Sequence, residues 1–223
     1  MHNQEGIVLR TMEYKERERI LHLYTPHSGL ISLIVKRLSR KQGHLLALST
    51  PFCHGDYHYT IGRSSLYRFT DGSVIQTHCH LRDDLSYLET AGAIAHALLV
   101  SQLPGKPAPA LFQLALTYLK QIPLAQNQQA LKASFLLKLL KHEGLLSTWP
   151  HCSQCERPIA FLEGGEGFCA LHGRGGAPLS DEEWQTLQAL AEARSFQKLS
   201  EISLAEKLEK KIAVCFEQAV SKN

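Results

Sequence analysis

The sharpest chemical signal in this chain is a pair of ligand pairs. Cys152-Ser-Gln-Cys155 is followed, after 13 intervening residues, by Cys169-Ala-Leu-His172. Two close pairs on two tight turns have the spacing of a tetrahedral zinc site, with three thiolates and one imidazole. Gly164-Gly165, Gly173 and Gly175-Gly176 give the backbone freedom to make those turns. Four side-chain ligands leave no open position for water, so one zinc ion held this way would be structural. A redox C-x-x-C pair is the rival reading, but it normally sits in a thioredoxin-like βαβ unit, a pattern missing here. Deaminase chemistry needs a Glu two residues after a His. None of the twelve histidines has one.

The other reactive side chains point to simpler roles. Cys53 and Cys215 lie on apolar faces and read as core thiols. In His78-Cys79-His80, strand alternation would send the cysteine away from both histidines, which argues against a second metal site. His54 and His58 share a strand face and read as surface residues. The chain lacks a phosphate loop, a dinucleotide fingerprint and a nucleophile elbow. The expectation is a protein that is not an enzyme.

A second constellation is cationic. Lys36-Arg37-Leu-Ser-Arg40-Lys41 puts four cations in six residues. Arg10, Lys15, Arg17, Arg19, Arg63 and Arg68 lie in the same N-terminal region, and Glu13, Glu16 and Glu18 partly cancel the first run. Such a rim on a small barrel suits single-stranded nucleic acid, whose backbone follows the cations while aromatic faces take the bases. The candidate DNA-binding set is therefore Lys36, Arg37, Arg40 and Lys41, with Arg10, Arg63 and Arg68.

The elements that must position these groups change character along the chain. Ile7–Leu9, Ile20–Tyr24, Leu30–Val35, Cys53–Ile61, Leu66–Phe69 and Val74–His78 read as short strands, with a turn at Asp71-Gly72. Five or six such strands fit a small closed barrel. From Leu81 the period becomes helical: Leu81, Leu85, Leu88, Gly92, Ala95 and Leu99 form one stripe, widened by Ala91, Ile94 and Leu98. Further helices are predicted over 109–122 and 128–142. After the Gly-rich stretch from Trp149 to Pro178, two more open with capping boxes, Ser180-x-x-Glu183 and Ser203-x-x-Glu206. The last carries an apolar stripe of Leu204, Leu208, Ile212, Cys215, Phe216 and Ala219. The predicted fold class is multidomain α+β. Its parts are a barrel over 1–80, an α-helical bundle over 81–148 and 179–223, and a zinc-binding insertion over 149–178.

Composition agrees with a folded chain. Its 223 residues are 44% hydrophobic and 20% charged, which argues against disorder, collagen-like repeats and disulfide-dense miniproteins. The net charge of +3 hides an asymmetry. Residues 1–80 carry 10 basic and 6 acidic side chains, residues 81–150 carry 6 and 4, and residues 151–223 carry 8 and 11. A basic front of this kind points to a polyanion partner. Neither a leader nor a membrane span is evident, so a cytoplasmic location is expected, where thiols stay reduced.

Taken in order, these segments resemble the RecO family of bacterial recombination mediators. The resemblance is carried by Gly6-Ile-Val-Leu-Arg10, Leu23-Tyr-Thr-Pro-His-Ser-Gly29-Leu-Ile-Ser-Leu33, the basic loop ending in Leu48-Ser-Thr-Pro51-Phe52, Leu81-Arg-Asp-Asp-Leu85, and the cysteine set. It implies an N-terminal OB-fold, a helical domain and a zinc-ribbon-like module. His172 stands where many relatives have Cys, and the basic loop lacks a glycine common in the family. The resemblance also implies a role in DNA repair through the RecF pathway, with binding of single- and double-stranded DNA and strand annealing. Implied partners are RecR, the acidic C-terminal tail of the single-stranded-DNA-binding protein SSB, and RecA and RecF indirectly, in the nucleoid region of a bacterial cytoplasm. Lys132, Lys138 and Lys141 are the candidate cations for that tail. Two other classes stay open: an RNA-binding OB-fold protein and a zinc-stabilised protein–protein adaptor.

Overall fold

The computed structural model describes residues 1–36, 43–62 and 66–221. They form two compact units, residues 1–123 and 124–223.

The first unit is built on five strands: β1 (His2–Lys15), β2 (Glu18–Thr25), β3 (Gly29–Val35), β4 (His54–Thr60) and β5 (Leu66–Gln76). They close into a barrel in the order β1-β2-β3-β5-β4, antiparallel except for the short β3–β5 pairing. This is the small closed barrel that the strand pattern predicts, of the OB type that the resemblance implies. Alternation sends Val8, Leu21, Leu23, Ile31, Leu33, Val35, Tyr57 and Tyr59 inward to one core, together with Leu48 of the short helix α1 (Gly43–Leu48).

The predicted turn at Asp71-Gly72 is absent, and β5 runs unbroken through both residues. Gly72 serves a close approach instead, since a Cβ there would lie 2.5 Å from the Asp56 carbonyl oxygen. A Gly inside a strand marks such an approach as readily as a turn. A one-residue register shift between His58 and Tyr59 leaves Thr70 of β5 as the extra residue, close to Gly72.

Helices α2 (Leu85–Ser101) and α3 (Pro109–Gln121) pack on this barrel, α2 against β1 and α3 against β2. The α2 stripe differs in part from the expected one. Asp84 caps the helix by accepting from the Ser86 N–H, and Leu81 is left in a preceding 3-10 turn. The expected Ala91, Ile94, Ala95 and Leu98 are buried, joined by Thr90 and Ala97, while Leu85 stands 70% exposed.

The second unit gathers around α4 (Gln128–His142), which is buried at Ala130, Leu131, Ala133 to Leu137, Leu139 and Leu140. Helices α5 (Asp181–Glu192), α6 (Phe196–Glu201) and α7 (Glu206–Ser221) contact it. The Ser180 capping box forms as predicted, both arms included. The Ser203 box does not open its helix, because α7 starts at Glu206 with the Ala205 carbonyl accepting from Glu209. The apolar stripe of α7 is buried throughout. Between α4 and α5, strands β6 (Phe161–Glu163), β7 (Glu166–Phe168) and β8 (Ala177–Pro178) form a small sheet in the order β7-β6-β8.

Candidate metal centre and nucleic-acid interface

The small sheet exists to hold two knuckles. Gly164-Gly165 makes the two-residue turn from β6 to β7 with both residues at positive φ, a hairpin geometry that glycine tolerates best. At Gly165 a Cβ would also lie 1.8 Å from the Leu145 carbonyl oxygen. The Gly164 N–H donates to Gln218 Oε1, which ties the turn to α7. The first knuckle closes through the Cys155 N–H to the Cys152 carbonyl (3.2 Å), and the second through the His172 N–H to the Cys169 carbonyl (3.1 Å).

The four expected ligands converge. Their ligand atoms all lie within 4.8 Å of one another. Cys155 Sγ is 3.7 Å from Cys169 Sγ, and His172 Nδ1 is 3.5 Å from both Cys152 Sγ and Cys169 Sγ. Tetrahedral geometry, with about 2.3 Å to sulfur and 2.0–2.1 Å to nitrogen, demands separations of about 3.8 Å and 3.5 Å. The donor set thus fits a four-coordinate metal ion of that size. Burial raises the pKa of the Cys152 thiol. Backbone donors at Cys169, Gln154 and Cys155, with the His172 ring, outweigh it and bring the thiol down to about 6. At Cys155 the Arg157 backbone donor lowers the pKa, but burial and the Cys169 and Cys152 thiols outweigh it and push that thiol up. Of this pair, Cys152 is the one poised as thiolate.

The cationic candidates are placed unevenly. Arg10 and Arg68 are exposed on the outside of the barrel, in neighbouring rows. One row runs Arg10–His22–Ser32–Leu66 across β1, β2, β3 and β5, and the next runs Met12–Ile20–Ile34–Arg68. Lys36 is exposed at the end of β3 and pairs with Glu18 at 3.6 Å. Arg37, Arg40, Lys41 and Arg63 lie outside the described residues. His22 and Tyr14 also belong to this outer face, although the sequence pattern did not single them out. Burial and then Arg10 lower the pKa of His22, whose Nδ1 lies 3.3 Å from Ser32 Oγ. Tyr14 is exposed and has Lys15 Nζ 5.3 Å from its ring centre.

On α4, Lys132 is tied to α7, and Lys138 and Lys141 are tied to α5. Lys132 pairs with Glu209 of α7 at 2.5 Å, and Lys141 with Glu192 of α5 at 3.4 Å. Lys138 donates to the Ala193 carbonyl at the end of α5 (2.6 Å), and burial lowers its pKa. A cation there also complements the C-terminal end of the helix dipole. Beside Lys132, a groove of about 310 Å³ between α4 and α7 is lined by Leu136, Ile212 and Lys210 among others.

Two histidines depart from the surface reading or were given no role. His54 is buried and holds Glu5 Oε1 at 2.6 Å through Nε2. His78 is 1% exposed, sits in the left-handed region at φ 49°, and has no hydrogen-bond partner on either ring nitrogen among the described residues. Cys79 beside it is exposed, and among the described residues the Cys152–His172 set alone groups three or more possible metal ligands. No helix of the described residues is long and apolar enough to cross a membrane.

Comparison with known proteins covers both units. The family model described as "Recombination protein O N terminal" matches residues 1–78, and that described as "Recombination protein O C terminal" matches residues 82–213. A DNA repair protein RecO from Chlamydia pneumoniae is 31% identical over 202 residues, covering 89% of this chain and 80% of its own. The protein of that name from Chlamydia trachomatis serovar D is 27% identical over 90% of this chain and 84% of its own. One from Clostridium kluyveri is 29% identical over 71% and 62%.

Proposed function

The chain belongs to the RecO family of DNA repair proteins, and from that premise we propose that it is a non-catalytic recombination mediator that binds and anneals DNA strands. The observation that carries this reading is the match to both halves of the family in order along one chain. Supporting it is the outer face of the barrel, where Arg10 and Arg68 stand clear of acidic partners among the described residues. The proposed mechanism is charge neutralisation. Two single strands repel each other through their phosphates, and cations that displace counterions lower that repulsion so that base pairing proceeds. By charge alone we assign Lys36, Arg37, Arg40 and Lys41, with Arg63, to the same DNA contact; of these only Lys36 lies within the described residues.

RecR and the acidic tail of SSB are the proposed protein partners, with RecA loading on SSB-coated strands as the outcome. RecF and RecA are engaged indirectly. Lys132, paired with Glu209, is the tail cation we favour, because it borders the α4–α7 groove whose Leu136 and Ile212 could take apolar tail side chains. The site of action is the bacterial cytoplasm. Residues 149–178 bind one zinc ion as a structural clamp, and the functional division into 1–80, 81–148 with 179–223, and 149–178 follows these roles. When bound, zinc would join the two knuckles. Cys152, Cys155, Cys169 and His172 fill its coordination sphere, so the module is not assigned chemistry on a substrate.

The test is strand annealing of SSB-coated complementary oligonucleotides. The proposal expects the protein to accelerate annealing, and Lys132→Glu to slow it on coated strands while sparing naked ones. Equal rates with and without protein would refute the mediator reading.

A further inference from the structure

We propose that Trp149 is a stacking platform for an unpaired base of single-stranded DNA, which brings the zinc module to the nucleic acid. This rests on the DNA-binding reading above and assigns it a contact outside the barrel. Trp149 is 68% exposed, whereas Trp184, the only other tryptophan, is 8% exposed. A single exposed apolar side chain is ordinary on a protein surface; what sets this indole apart is a backbone held in place.

That backbone is pinned on both sides. The carbonyl of Thr148 accepts from Gln188 Nε2 at 2.8 Å, and the Trp149 N–H lies 3.4 Å from Ser147 Oγ. Pro150 follows and restricts Trp149 to extended conformations. His151 is fixed by its bridge to Pro158 in the first metal knuckle, and its ring sits 5.9 Å from the indole at 45°. The indole is therefore presented in advance, and stacking on it orders few further bonds.

The module that carries it also offers polar and cationic groups. Ser153 and Gln154 of the knuckle are exposed, and so are Arg157 and Arg174, neither of which forms an ion pair among the described residues. Arg157 is tied to the knuckle through its carbonyl, which accepts from Cys152 N–H at 2.9 Å, and Arg174 follows the second knuckle closely in sequence. An exposed, pre-positioned aromatic on a module with exposed arginines matches a platform for stacked bases. Glu156, Glu163 and Glu166 oppose this charge, so the contact should be weaker than the barrel's and dominated by stacking.

The two tryptophans make the test direct. Zinc-loaded full-length protein is titrated with a 20-nucleotide oligothymidylate while tryptophan emission is read, and binding is followed separately by anisotropy of a labelled copy. The expected result is saturable partial quenching, with Trp184 supplying the residual emission, and no quenching by a blunt duplex of equal length. Trp149→Phe should abolish the quenching. Trp149→Ala should weaken single-strand affinity about fivefold to a hundredfold, the range for losing one stacked base, with metal content unchanged. Binding by anisotropy with unaltered emission, or unchanged affinity in Trp149→Ala, would overturn the proposal and leave the indole to a protein partner. Absence of any binding would remove both this proposal and the DNA-binding reading beneath it.

Discussion

Cys152, Cys155, Cys169 and His172 were legible in the sequence because metal ligation imposes short, local spacing. Two residues between ligands make a knuckle wherever the rest of the chain goes. Replacing Cys152 by Ser should therefore cost one equivalent of zinc and the order of residues 149–178, read by metal analysis and by hydrogen exchange in that segment. A full equivalent in the variant would contradict the assignment. His78 was not legible, because its role depends on what surrounds it. Burial first, then His80, His54 and Lys120, push its pKa down to about 4. An unfolded histidine titrates near 6.5, so the neutral ring stabilises the fold above that pH, and the stability drains as pH falls from about 6.5 through 4. His78→Asn, a residue that tolerates the left-handed backbone, should lose about 2 kcal/mol less than the parent between pH 7 and pH 5 in denaturant unfolding. Parallel profiles would remove His78 from the acid response.

At the scale of elements, period and caps located most helices, but phase and tertiary contacts decided the rest. Helix α4 matches its predicted bounds because nine of its fifteen side chains are buried, eight of them apolar. The α2 face was read correctly at Ala91, Ile94, Ala95 and Leu98. It was read wrongly at Leu85, Leu88 and Gly92, because counting began at Leu81, one turn before Asp84 starts the helix. The same local ambiguity made Asp71-Gly72 look like a turn. At α5 the capping box does more than its motif implies. Glu183 accepts from the Ser180 N–H at 3.0 Å, and Lys211 of α7, nearly buried, donates to both its carboxylate oxygens at 2.6 Å. Burial raises the Glu183 pKa, but Lys211 and the Ser180 N–H outweigh it, so the carboxyl titrates below its ordinary value. Its contribution is present above about pH 4.5 and is lost as pH falls below that. Glu183→Gln should destabilise the protein by about 2 kcal/mol at pH 7, with a smaller deficit at pH 3. An equal deficit at both pH values would mean the ion pair adds nothing. In the barrel, Ala at Lys36, Arg37, Arg40 and Lys41 together should weaken single-stranded DNA binding and flatten its dependence on salt, since each lost phosphate contact removes about 0.7 from the slope. An unchanged slope would take that loop out of the interface.

For the molecule as a whole, a net charge of +3 said little about partners until it was resolved along the chain. The basic excess lies in residues 1–150, and the acidic excess lies in the zinc module and last helices. The barrel was legible because period-two strands with few helical signals admit few alternatives. The grouping of α2 and α3 with the barrel was not, because helix periodicity says which face is buried but not against what. The central claim concerns the whole chain acting on two strands at once. It is tested most directly by the annealing rate of complementary strands coated with SSB, measured with and without the protein at low and moderate salt. The account predicts acceleration that declines as salt rises. A rate indifferent to the protein at both salt concentrations would contradict it.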